Sequence, residues 1–324
     1  MSRRGFLPSW GRAAVSIRAV TQLTAADDGF HPVAREDDSW TETCWFAAGV
    51  PERGLGVWTY PLFRPRLGIM SCGIYVWEQG AEELWQLPYY RTYWHLPFPQ
   101  GQQLTELSLS NGLSYRCLEP LTCYHVAYED GDSLSLDLTF DALHPPHEHG
   151  VRDGLGHFDQ LGRLTGEIVL YGERIPVDCI EMRDRTWGPR RESRQKTMLA
   201  YDYGARSETS GFHCSTLFDA ERQQYRLLTG FVLREHGLRH VTEAVRDVVR
   251  DPGGRPERIE VRGRDEDGAE FEVCGEIVSR WGMPSTPWFN WVSTVRWSLP
   301  DGSEGYGEDQ ETWSPERFRA LRRA

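Results

Sequence analysis

Hydrophobic and polar positions along this chain alternate in short segments separated by turn residues. In "VAYEDGDSLSLDLTF", Leu134, Leu136 and Leu138 alternate with Ser133, Ser135, Asp137 and Thr139 behind an acidic turn, the period-2 pattern of a half-buried hairpin strand. "VLYGERIPVD" and "VRGRDEDGAEFEV" repeat the arrangement. Further runs rich in β-branched and aromatic residues, among them "GLGVWTYPLF", "SCGIYVWEQ", "TMLAYDYG", "GFHCSTLFD" and "WVSTVRWSLPDGSEGYGEDQETW", recur between Gly, Pro and Asp-Gly punctuation at the spacing of antiparallel meanders. Helix is sparse: "GAEELWQL" (80–87) and "SPERFRALRRA" (314–324) are expected helical, the second with Ser314 as cap, Pro315 in the first turn and a basic tail that suits the dipole. The absence of a fixed-period repeat argues against propellers and solenoids. An all-β chain of this length commonly divides into two barrels or sandwiches. The charged, strand-poor "RRESRQK", Arg190 to Lys196, is the expected junction, with a softer break at "HPPHEHGVRDGLG".

Composition narrows the function. Of 324 residues, 36 are Lys or Arg against 48 Asp or Glu, a net charge of −12, which disfavours nucleic acid and other polyanions as partners. The seven cysteines are scattered without a C-x-x-C pair, the mark of reduced structural thiols rather than a disulfide framework or a zinc ribbon. "SRRGFL" near the start mimics a twin-arginine export signal, but Arg12 and Arg18 interrupt the apolar segment such a signal requires. No run approaches the ~18 apolar residues of a membrane helix, so a soluble cytoplasmic protein is expected. Thirteen tryptophans, with 13 Tyr and 13 Phe, require large aromatic cores or an aromatic-lined cavity. G-x-S-x-G, phosphate-loop, dinucleotide and H-E-x-x-H signatures are all missing, against serine hydrolases, nucleotide-dependent enzymes and zincins.

Candidate chemistry centres on "IEMRDRTWGPR", Ile180 to Arg190. In a strand, Met182, Asp184 and Thr186 share one face while Arg183, Arg185 and Trp187 share the other. Asp184 then points away from its basic neighbours. If that face lines an apolar barrel interior, desolvation raises the carboxyl pKa into the range of a general acid; if Arg190 folds back after the Gly-Pro turn, the two form an ion pair and the pKa falls. His157 and Asp159 also lie on one face if extended, as a proton relay or a structural pair. Tyr201 and Tyr203 share a face opposite Asp202. His144, His147 and His149, with Glu148 and His157, suggest a metal but match no ligand signature, so no metal is expected. Glu308, Asp309 and Glu311 are expected in solvent, one of them facing Arg183 or Arg185.

The run "GHFDQLGRLTGEIVLYGERIPVDCIEMRDRTWGPR", Gly156 to Arg190, followed by "YDYG" and "GYGEDQETW", resembles bacterial relatives of the carotenoid 1,2-hydratase and attachment-protein superfamily. The family's Asp-His-x-Trp hallmark stands here as Asp184, Arg185, Thr186 and Trp187. Arg185 replaces the histidine, and Met182 replaces a tyrosine two residues before the acid. The resemblance implies two lipocalin-like antiparallel β-barrels with little helix, residues 1–191 and 192–324, enclosing an aromatic-rich cavity. It implies that Asp184 protonates an alkene of a hydrophobic isoprenoid- or polyketide-like molecule without a cofactor, giving hydration, isomerisation or cyclisation. Trp187, Tyr201, Tyr203, His157 and Asp159 would line or support the cavity, Trp187 serving equally well as a plug. A non-catalytic carrier of a hydrophobic molecule is the competing reading.

Overall fold

The structure, a computed structural model, describes residues 23–33, 37–152, 154–190, 197–284 and 288–321. The arginine pair near the start and residues 191–196 of the expected junction lie outside them. The first strands are β1 (Trp40–Val50), β2 (Leu55–Arg64), β3 (Ile69–Trp77), β4 (Tyr89–Pro97), β5 (Glu106–Ser108) and β6 (Ser114–Glu119). They are followed by β7 (Cys123–Asp130), β8 (Leu134–Ala142), β9 (His147–Arg152), β10 (Leu155–Leu170) and β11 (Glu173–Pro189). All eleven form one sheet in the order β4-β3-β2-β1-β11-β10-β8-β7-β6-β5, with β9 beside β10. Next come β12 (Leu199–Ser207), β13 (Ser210–Asp219), β14 (Gln224–Arg234), β15 (Gly237–Arg250), β16 (Pro256–Asp265), β17 (Glu270–Pro284), β18 (Phe289–Ser298) and β19 (Glu304–Trp313), which close into an antiparallel barrel as β12 pairs β19. The helix α1 (Pro315–Leu321) ends the described chain.

The three hairpins form where alternation places them. In β8, Leu134, Leu136, Leu138 and Phe140 are buried while Asp137 and Asp141 are exposed. The β10–β11 hairpin runs from Gly156 opposite Trp187 to Leu170 opposite Glu173. Its turn residues, Tyr171 at φ 48° and Gly172 at φ 87°, supply the two left-handed conformations that a type I′ turn demands.

The expected all-β fold of two antiparallel barrel-like units with little helix holds, with two differences of detail. Among the described residues only the second unit is a closed barrel; the first is a curled sheet with β4 and β5 at its edges. The β3–β4 register shifts between Met70 and Cys72, His95 takes φ 55°, and β5 has three residues; such short or bulged strands end pairing rather than close it. Residues 80–87 form a 3-10 turn at Leu84–Gln86 instead of a helix. The Gln86 carboxamide accepts from the N–H groups of Glu82 and Glu83 (3.0 and 2.9 Å), Glu83 bridges to Gly282, and Pro88 follows. The C-terminal helix does form, with Ser314 Oγ accepting from Arg317 N–H at 3.1 Å. Among the described residues, no helix is long and apolar enough to cross a membrane.

Strand alternation divides the core. Along β1, Cys44, Phe46 and Ala48 join the core on one face of the sheet, while Trp45 and Ala47 turn to the other. That second face packs on the outside of the barrel: Trp45, Trp58, Trp77, Leu161 and Met182 meet Tyr203, Phe231, Leu233, Trp281 and Val292. Polar bonds pin the join, with Trp77 Nε1 donating to Thr294 Oγ1 (3.0 Å) and Ser279 Oγ to Gly54 O (2.7 Å). Four of the 13 tryptophans, Trp45, Trp58, Trp77 and Trp281, thus form core between the two units, Trp45 lying edge-on to Trp58 and Trp58 to Trp77.

Candidate functional site

The alternation read for β11 holds, but the space that each face meets differs from expectation. Arg183 and Arg185 are buried in the first unit. Arg183 donates to Asp28 Oδ1 (2.7 Å) and lies 3.8 Å over the Tyr124 ring; Arg185 donates to Glu42 Oε2 (2.5 Å) and Gly29 O (2.6 Å). Asp184 faces the join between sheet and barrel rather than a barrel interior. Asp159 sits directly opposite it on β10, and Trp45 opposite it on β1. Two carboxylates in register repel one another unless one is neutralised or keeps its proton.

The neighbours decide which. Asp159 is fully buried; its Oδ1 accepts from Tyr201 OH (2.5 Å) and faces His157 Nε2 (2.9 Å), while Oδ2 faces His213 Nε2 (3.4 Å). Burial raises its pKa, but the charges of and hydrogen bonds from His157 and His213 outweigh that and hold Asp159 well below 3.8, as an anion. Burial tends to lower the pKa of His157, but Asp159 raises it overall, and His157 Nδ1 is fixed by Thr186 Oγ1 at 2.7 Å. Among the described residues Asp184 Oδ1 has no hydrogen-bond partner. Burial, then the Asp159 charge, push its carboxyl up to about 6 against the pull of His157, Arg190 and Arg185. The expected alternative, an ion pair with Arg190, does not form: Arg190 Nη1 donates to Tyr60 OH (3.2 Å). Among the described residues, Asp184 Oδ1 and Trp45 Nε1 are shut off from solvent and make no hydrogen bond. Unsatisfied polar atoms gathered in one buried place mark either strain or a missing ligand.

A second group of acids lies in the same join. Tyr203 OH donates to Glu181 Oε2 (2.6 Å), and Trp58 Nε1 donates to both oxygens of Glu308 (2.9 and 3.0 Å). Burial lifts Glu181 to about 7; burial and the Glu181 charge lift Glu308 well above 4.5.

The structure therefore gathers Asp184, Asp159, His157 and Tyr201, and sets Tyr203 one strand step away. Trp187 lies apart, in a cluster with Trp40 and Phe158, its ring stacked on His31 at 4.1 Å. Gly156 makes room for it, because a Cβ there would sit 2.4 Å from the Trp187 ring. The histidine run does not converge on a metal. His144 Nε2 accepts from Leu161 N–H (3.0 Å), His147 Nε2 meets Thr229 Oγ1 (3.0 Å), and His149 stands opposite His157 in the β9–β10 register. Burial lowers His144 to about 4 and His147 to about 3, so both are neutral. Among the described residues, donor atoms close enough to hold a divalent cation, within 4.8 Å of one another, belong to His157, Asp159 and Asp184 here and to Glu260, Glu272 and Cys274 on β16 and β17. Glu308, Asp309 and Glu311 are buried rather than solvated; Asp309 and Glu311 bind Arg246, not Arg183 or Arg185. Sequence reasoning missed His213, Trp45 and Glu181; His213 meets Asp159 and Tyr203 meets Glu181 only because β12 and β13 dock on β10 and β11, and Trp45 meets Asp184 through the β1–β11 pairing.

The chain matches, over residues 24–314, a family model described as a domain of unknown function, DUF7064. No curated protein matches it by sequence. Solved structures do match in fold. An AttH-type protein of Nitrosomonas europaea superposes with TM-score 0.55 at 14% identity, covering 84% of this chain and 91% of the other. CghA gives 0.57 at 11% identity (85% and 88%), and kievitone hydratase from Nectria haematococca 0.53 at 11% (85% and 88%). Over most of its length the chain thus shares the fold of these three proteins.

Proposed function

This chain belongs to the DUF7064 family, and from that premise we propose that it is a hydratase- or lyase-type enzyme in which Asp184 protonates an alkene of a hydrophobic small molecule, isoprenoid- or polyketide-like, without a cofactor. The observation that carries this reading is the Asp159–Asp184 pair: adjacent carboxyls with environments that drive their proton affinities apart, one a fixed anion and the other titrating at about 6. The acid transfers its proton to the alkene carbon that leaves the more substituted cation. Trp45 and Tyr201, edge-on to one another at 6.1 Å, are the aromatic rings beside the pair that would stabilise such a cation. Water adds to the cation and returns a proton to the Asp184 carboxylate, which closes a hydration cycle; loss of a different proton to that carboxylate gives an isomer, and attack by an internal alkene or hydroxyl, followed by loss of a proton to it, gives a ring. Kievitone hydratase, with the same fold, carries a hydration activity in its name.

The test incubates the protein with prenyl alcohols and linear polyenes and follows products by mass. A gain or loss of one water, or an isomer, that disappears in Asp184→Asn while ligand binding is kept supports the proposal. Tight binding without product makes the protein a carrier. A second reading rests on the clustering of His157, Asp159 and Asp184 donor atoms: turnover that tracks a stoichiometric divalent ion and is lost to a chelator assigns these three groups to a metal instead.

A further inference from the structure

The closed barrel holds a second polar centre, separate from the join. Arg246 is fully buried inside the barrel and bound by Asp202 (2.9 Å), Asp309 (2.7 Å) and Glu311 (3.2 Å). Glu311 also accepts from Arg250 Nη2 (2.6 Å) and from the Tyr225 hydroxyl. Beside this centre the barrel end opens into a cavity of about 230 Å³, between the starts of β12 and β14, the ends of β13, β15 and β19, and α1.

Three properties of that cavity define a ligand. Its lining contains three guanidinium side chains, Arg246, Arg250 and Arg317, and one carboxylate, Asp247, which is taken by Arg262 at 2.6 Å. The carboxylates that balance Arg246 and Arg250, Asp202, Asp309 and Glu311, lie behind the lining rather than in it, so among the described residues no unpaired carboxylate faces the cavity. Arg317 lies 5.9 Å from the Phe218 ring centroid and has no carboxylate at ion-pair distance among the described residues. Secondly, Phe218, Tyr225 and Trp313 line the same space, and Trp313 is buried with its indole N–H unpartnered. Thirdly, the volume falls below the ~300 Å³ lower end for drug-sized ligands, which suits a molecule with one ring or a short conjugated chain.

We propose that this barrel end is a second binding site, for a small carboxylate on a flat apolar body, an arylcarboxylate or conjugated enoate, with its carboxylate at Arg317 and Arg250 and its ring against Trp313 and Phe218. Guanidinium and carboxylate match in a forked pair, and the ring's burial supplies the apolar part of the affinity. The site is independent of the chemistry proposed for Asp184.

Calorimetric titration with trans-cinnamate, and with cinnamamide as its uncharged counterpart, tests the assignment. Saturable cinnamate binding is expected at millimolar concentrations or below, with the amide about tenfold weaker. Arg317→Gln, an exposed position that leaves the fold intact, should weaken cinnamate about fivefold, while Asp184→Asn leaves it unchanged. Hydrogen exchange should slow over residues 223–226 and 313–317 when cinnamate is bound. Equal affinity for the two probes, loss of binding in Asp184→Asn but not in Arg317→Gln, or no saturation at millimolar cinnamate overturns the assignment.

Discussion

Replacing Asp184 with Asn removes one titrating proton and keeps the side-chain shape. Burial, assisted by the Asp159 charge, holds the folded pKa at about 6 against 3.8 for the free side chain. A carboxyl raised in this way contributes stability that is fully present below pH 3.8 and lost as pH rises through about 6, because the unfolded chain gives up its proton first. At about 1.4 kcal/mol per pH unit, the interval from 3.8 to about 6 is worth about 3 kcal/mol. Asp184 keeps part of its surface in solvent, and screening there lowers the figure to about 2 kcal/mol. Asn carries no such penalty. Urea unfolding of both proteins between about pH 3 and about pH 8 should therefore show the variant gaining about 2 kcal/mol on the wild type as pH rises, even as it loses turnover. Parallel curves would refute the reasoning. So would a wild type that gains on the variant with rising pH, the sign of an ion-paired carboxylate.

Other consequences are equally open to measurement. Arg183→Met strands Asp28 in the core and should cost about 3–5 kcal/mol in urea unfolding, whereas Arg183→Met with Asp28→Asn should recover most of the loss. Glu181 is raised to about 7, so its contribution is also lost as pH rises through that value; Glu181→Gln, which keeps an acceptor for Tyr203 OH, should flatten the fall in thermal midpoint between pH 4.5 and about 7.

Much of the architecture is legible in the chain because strand alternation is local. Leu134, Leu136 and Leu138 declare their face unaided, and Ser314-Pro315 declares the last helix. The same rule correctly separated Asp184 from Arg183 and Arg185, and placed His157 with Asp159. What alternation leaves open is the space that each face meets. Asp184 was expected inside a barrel and lies between sheet and barrel, because the join depends on how β12 and β13 pack against β10 and β11. For the same reason His213 gave no signal in "GFHCSTLFD", and Trp187 was drawn into the site only by its place in a motif. The acids of "GYGEDQETW" read as solvated because the partner that buries two of them, Arg246, is more than sixty residues earlier in sequence.

The account turns on the proton of Asp184. A carbon-13 titration of protein labelled at aspartate carboxyl groups, compared with Asp184→Asn, isolates that one resonance. A midpoint near pH 6 is the expected result; a midpoint at or below the ordinary 3.8 would show a carboxylate with nothing to donate and would contradict the proposed acid.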